Sequence, residues 1–131
     1  MRRTHDTDET IQRVQEEKSN LLLEAQMLQA MERPEEAIAR FALAAPLEER
    51  IAEYRDKTGE KDLAARHRFS AAACWAKTGN LHNAILLFDA LNRSADTPGR
   101  LKVDALLFAN RLREQQQIVF NSYPQTMQTV G

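Results

Sequence analysis

The side chains in this chain that could do chemistry are three histidines, one cysteine and several adjacent carboxylates, and their spacing limits what they can do. His5, His67 and His82 lie far apart, and none falls in a His-x-x-x-His or Glu-x-x-His pattern that would put two metal ligands on one helical face. That spacing predicts no metal site and leaves the three as surface or packing residues. The acid pairs Glu16-Glu17, Glu35-Glu36 and Glu48-Glu49 are sequence neighbours, so on a helix their carboxylates point in different directions. They read as solvated faces, and nothing selects one pair for acid–base work. Cys74 stands beside Trp75 in an alanine-rich stretch, where a lone cysteine behaves as a small apolar residue and the indole as core packing. Four dispersed glycines cannot build a phosphate-cradling loop. The expectation is a noncatalytic protein, not an enzyme, with no cofactor.

Basic residues gather at Arg66-His67-Arg68, at Arg93, Arg100 and Lys102, and at Arg111 and Arg113. Aromatic residues are not interleaved with them for base stacking, and 18 Lys plus Arg against 19 Asp plus Glu leave a net charge of -1. The corner near Gly79 has the look of a helix-turn-helix, but the segment Leu81 to Leu91 is almost entirely apolar or neutral and carries no Arg or Lys for base edges. No nucleic-acid partner is expected. The longest apolar stretches are a handful of residues, well short of the roughly 20 that span a bilayer, so no membrane insertion is expected. Met1-Arg2-Arg3 is followed by polar residues rather than an apolar stretch, which predicts no secretory signal. A single cysteine fits a reducing compartment, and the expected location is cytoplasmic.

The elements that must position these residues are helices. Ala, Leu, Glu, Gln and Arg dominate, only four glycines and four prolines occur, and 131 residues suffice for one core. A first helix is predicted from Thr7 or Asp8, with Ile11, Val14, Leu21, Ala25 and Leu28 on its inner face and Leu22 and Met31 widening the stripe. Lys18 interrupts that stripe, and its stem is expected to cover apolar surface while its ammonium reaches water. Pro34 with Glu35 and Glu36 starts a second helix, whose inner residues are Ala37, Phe41, Ala44, Ile51 and Tyr54. Pro46 disfavours helix at its position, leaving either one bent helix to about Lys57 or two shorter ones. Thr58-Gly59 and Thr78-Gly79 are matching helix stops that bracket a helix from Glu60 to Lys77. Asn80 caps a helix from Leu81 to about Asn92, the stretch Arg93 to Gly99 is a loop, and Thr97-Pro98 restarts a last helix with Leu101, Ala105, Phe108 and Leu112 inward. The expected domain is 1–120, followed by a flexible tail over 121–131.

Two windows align when anchored at their corners. Ala25, Leu28, Ala37, Phe41 and Ala44 recur with identical spacing as Ala72, Trp75, Ala84, Phe88 and Leu91. Small residues let two helices approach closely while the large ones fill the gaps between hairpins. On these residues the windows Leu21 to Ala44 and Arg68 to Leu91 resemble tetratricopeptide repeats, and Gly59, Ala52 and Ala64 repeat part of the pattern. They stand 47 residues apart where that family has about 34, and the first lacks the opening tryptophan and the corner glycine. The resemblance implies an all-α fold of five to six helices, with antiparallel hairpins stacked as a short right-handed superhelix.

In that register the inner surface is lined by Leu22, Gln26, Gln29, Arg66, Phe69, Ala73 and Lys77. Such a groove would seat a peptide or a partner helix, with the glutamines bonding its backbone and Arg66 and Lys77 pairing with acids or a carboxylate. The family's clamp for a C-terminal carboxylate needs Lys and Asn where Leu22, Gln26, Phe69 and Ala73 stand, so that specificity does not carry over. The resemblance therefore implies a protein-protein interaction module or adaptor. The alternatives are a small chaperone for a secreted or membrane client, and a structural homo-oligomer packed through its first or last helix.

Overall fold

The computed structural model of the chain describes residues 6–122, which form five α-helices and no strand. These are α1 (Asp8–Ala30), α2 (Pro34–Lys57), α3 (Lys61–Lys77), α4 (Leu81–Arg93) and α5 (Gly99–Ser122). His5 and most of the expected tail lie outside the described residues. The last helix runs through Ser122, two residues past the expected boundary at 120.

The caps follow from local chemistry. Thr7 accepts a hydrogen bond from the Thr10 amide at 3.1 Å, and Asn80 accepts one from the Asn83 amide at 3.1 Å. Before α1, Asp6 takes a two-pronged hydrogen bond from Arg50 of α2, at 2.7 and 3.1 Å. Of the two forms left open at Pro46, the chain takes one uninterrupted helix to Lys57. An interior proline costs a helix about 3 kcal/mol. Helix α2 is packed by α1 on one flank and α3 on the other, and Pro46 sits on its exposed side, so burial of Phe41, Ala44, Ala45, Ile51 and Ala52 outweighs that cost.

Three of the four connections are one structure repeated. Glu32, Gly59 and Gly79 have φ of 59°, 84° and 83°. In each case the following amide reaches back to a carbonyl five residues earlier: Arg33 to Leu28 at 2.9 Å, Glu60 to Arg55 at 2.8 Å and Asn80 to Trp75 at 3.0 Å. Around each left-handed residue an alanine stands seven before and five after, as Ala25 and Ala37, Ala52 and Ala64, and Ala72 and Ala84, all of them buried. Every such hairpin thus closes on two methyl groups, which brings its helix backbones close.

Each helix packs on its neighbours in sequence, and α5 also reaches α3. Two cores result, both resting on α3. One holds Ala25, Ala37, Phe41, Ala44, Ala45 and Cys74; the other holds Ala72, Ala84, Phe88, Leu91, Ala105 and Leu112. Trp75 packs against both and donates its indole N–H to Glu49 at 2.8 Å. At the ten aligned positions of the two windows, eight side chains are buried, and Leu28 and Trp75, equivalent to each other, are both half-buried. Met31, expected in the α1 stripe, is exposed. Among the described residues no helix is long and apolar enough to cross a membrane.

Candidate functional site

The polar group that spacing failed to select is Glu48. Its side chain is 2% exposed, against the expectation of a solvated acid, because it shares the inner face of α2 with Ala44, Ile51 and Ala52. His67 Nδ1 lies 2.7 Å from Glu48 Oε1 and Lys18 Nζ lies 3.7 Å from Oε2. Lys18, expected to send its ammonium to water, thus also turns it toward a buried carboxylate, with its side chain 15% exposed. The three side chains come from α1, α2 and α3 and tie those helices together. A buried carboxylate needs such partners, since desolvation of an unpaired charge is costly. The helical phase of Glu48 was the signal available in the sequence.

Cys74 is buried close enough to Glu48 to feel its charge. Burial, reinforced by the Glu48 charge, pushes the thiol up to about 11, so it stays protonated near neutral pH and is a poor nucleophile. Among the described residues no cluster of three or more His, Cys, Asp or Glu side chains is placed to hold a metal ion. The basic clusters are partly spent on ion pairs: Arg68 with Asp56, and Arg113 with Asp89 at 2.8 Å. Burial alone would raise the Asp56 carboxyl, but Arg68 and Lys61 outweigh it and hold the group below the usual range.

The seven residues expected to line a groove fall into two sets. Gln26, Gln29, Arg66 and Lys77 are exposed, while Leu22, Phe69 and Ala73 are half-buried. Leu22 packs on the first core. Phe69 stands edge-on to Phe88 at 5.1 Å and to Phe108 at 5.7 Å, so its ring belongs to the second. The backbones of α1 and α3 do not meet, whereas those of α3 and α5 do. An open groove of ≈ 570 Å³ forms on the α5 side, and Lys77 is the one member of the seven on its lining. Its walls are Ile38 of α2, Ala76 and Lys77 of α3, Leu81 of α4, and Gln115, Ile118 and Val119 of α5. Lys77 rests its ammonium over the Phe41 ring at 5.2 Å and forms the cationic rim. The groove exists because α5 is longer than α3 and projects past the corner at Gly79, which leaves Ile118 exposed. Sequence reasoning missed it because all seven residues expected to line the inner surface lie in α1 and α3. Compared with known proteins, the chain matches no family model, no curated protein and no solved structure.

Proposed function

We propose that this chain is a noncatalytic protein-interaction module of tetratricopeptide-like construction, whose partner is a short apolar peptide or helix carrying an acidic group. The observation that carries the reading is the groove between α2, α3, α4 and α5, with an apolar wall, one cation at its rim and Gln115 available for hydrogen bonding. That combination suits an extended or helical peptide: the apolar residues take its side chains and Lys77 takes its charge. Support for the repeat construction comes from the matched burial of the two windows and from the corners at Glu32, Gly59 and Gly79.

Selection of displayed random peptides on the folded chain tests this directly. Recovered binders should be apolar with an acidic residue, and Lys77→Glu or Ile118→Asp should weaken them at least tenfold while Arg66→Glu does not. Failure to enrich any binder, or binders indifferent to both groove variants, would refute the groove. The chaperone reading is favoured by a separate observation: Ile38, Ile118 and Phe120 are exposed apolar residues near or on this surface. Protection of an aggregating, apolar client at equimolar amounts would distinguish it from a peptide adaptor.

A further inference from the structure

The two outermost helices of the array present matching surfaces. Helix α1 packs only on α2, and α5 packs only on α4 and α3, so each has one side with no helix of the described residues upon it. On α1 the direction opposite the buried Ile11, Val14 and Ala25 carries Leu23 and Met27, exposed by 56% and 55%. On α5 the direction opposite the buried Ala105, Ala109 and Leu112 carries Val103 and Leu107, both 57% exposed. Each pair is spaced four residues apart and so forms a continuous apolar stripe. In a stacked helical array the outer faces of the terminal units are ordinarily polar, because an apolar end continues the stack.

The charges on the two helices are opposite in sign. Helix α1 holds five carboxylates against two basic side chains, and α5 holds four basic side chains against two carboxylates. We infer that the outer face of α5 docks on the outer face of α1 from a second copy of this chain, head to tail, continuing the helical stack from one molecule into the next. The helices run antiparallel, as consecutive helices in the array do. Met27 then lies against Val103 and Leu23 against Leu107. In this register Glu16 falls opposite Glu114, with Arg111 within a turn of the first and Arg13 within a turn of the second, so the two facing carboxylates at the end of the apolar contact are bracketed by two cations. Two different surfaces meet, so the contact is heterologous and each dimer retains one free face of each kind. Like charge on two α1 helices opposes their pairing, which favours the mixed contact over a symmetric one through α1. This inference is independent of the groove, since none of its apolar contact residues lines it.

The experiment uses the full chain in three forms: wild type, an α1-face variant (Leu23→Glu with Met27→Glu) and an α5-face variant (Val103→Glu with Leu107→Glu). All four sites are exposed, so each variant should keep the wild-type far-ultraviolet dichroism and melting curve, and the charge-conservative pair Met27→Gln and Val103→Gln serves as backup if either does not. Sedimentation velocity over a hundredfold concentration range reads the outcome. Wild type should form dimers and larger species as concentration rises, and each variant alone should associate at least tenfold more weakly. An equimolar mixture of the two variants should form a dimer and stop there, because one intact face of each kind remains. A wild type that stays monomeric throughout overturns the inference. So does a mixture that behaves as the sum of its parts, or an α1-face variant that dimerises as well as wild type, which would mean that α5 pairs with itself.

Discussion

The two cores share α3 but are built from different materials. Both are rich in alanine, but between α1, α2 and α3 the larger buried side chains are Ile11, Val14, Phe41 and Ile51, and Lys18, Glu48 and His67 converge beside them. Between α3, α4 and α5 the buried Phe88 joins a triangle with Phe69 and Phe108, stacked on Phe108 at 5.6 Å with Phe69 edge-on to both, and Phe108, expected to face inward, is 40% exposed at the triangle's outer edge. Dispersion and shape hold the second core, and they are non-directional beyond ring geometry. The first core is aliphatic, and its polar triad sets which turn of α1 faces which turn of α2 and α3. The comparison predicts that apolar packing stabilises both halves, through the aromatic triangle in the C-terminal one, and that the polar triad adds register to the N-terminal one.

The largest effect should come from Phe88→Ala, which empties the triangle where the ring is almost fully buried. Loss of a buried phenylalanine costs about 3–5 kcal/mol, read as a shift in the denaturant midpoint at unchanged slope. A loss under about 1 kcal/mol would mean that the aromatic triangle is not what stabilises the C-terminal half. His67→Ala should follow, at about 3 kcal/mol, because it strands a buried carboxylate that retains only the longer contact to Lys18. The triple variant Lys18→Met, Glu48→Met, His67→Leu should stay within about 1 kcal/mol of wild type, since replacing a whole buried ion cluster by apolar groups is often neutral. If the triple variant is as unstable as His67→Ala, the polar triad contributes stability and the contrast between the halves collapses.

How much of this was legible in the sequence depends on which physical signal was in play. Helix existence, the caps at Thr7 and Asn80, and the stops at Gly59 and Gly79 rest on local chemistry and were readable to within a residue or two. Pro46 was ambiguous because its local cost competes with burial on both flanks of α2, a nonlocal sum that no window of sequence contains. Glu48 was misread because residue type was weighted above helical phase: its neighbours at Ala44, Ile51 and Ala52 all point inward. The groove was partly legible. Lys77 came from the repeat register, but the walls supplied by Ile38, Ile118 and Val119 depend on the overhang of α5, which is set by how α3 and α5 dock.

The smallest effect is the most specific to the repeated corners. Gly59 and Gly79 occupy the left-handed position in two of them, and a Cβ added at either would meet nothing within 4 Å, so any cost of alanine there is backbone strain alone. Glu32 occupies the same position with the same pair of hydrogen bonds, its amide reaching Gln29 at 3.0 Å while that of Arg33 reaches Leu28 at 2.9 Å. A residue with a Cβ gives up about 1–2 kcal/mol in that conformation, part of which glycine returns as greater freedom in the unfolded chain. Glu32→Gly should therefore stabilise the protein by about 0.5–1 kcal/mol, and Gly79→Ala should destabilise it by a similar amount. Thermal melts of the two single variants and their combination check this. Because the corners belong to different hairpins, the two effects should add. A destabilising Glu32→Gly would show that the first corner is held by its side chain rather than by its backbone, and that the hairpins are equivalent in geometry but not in cause.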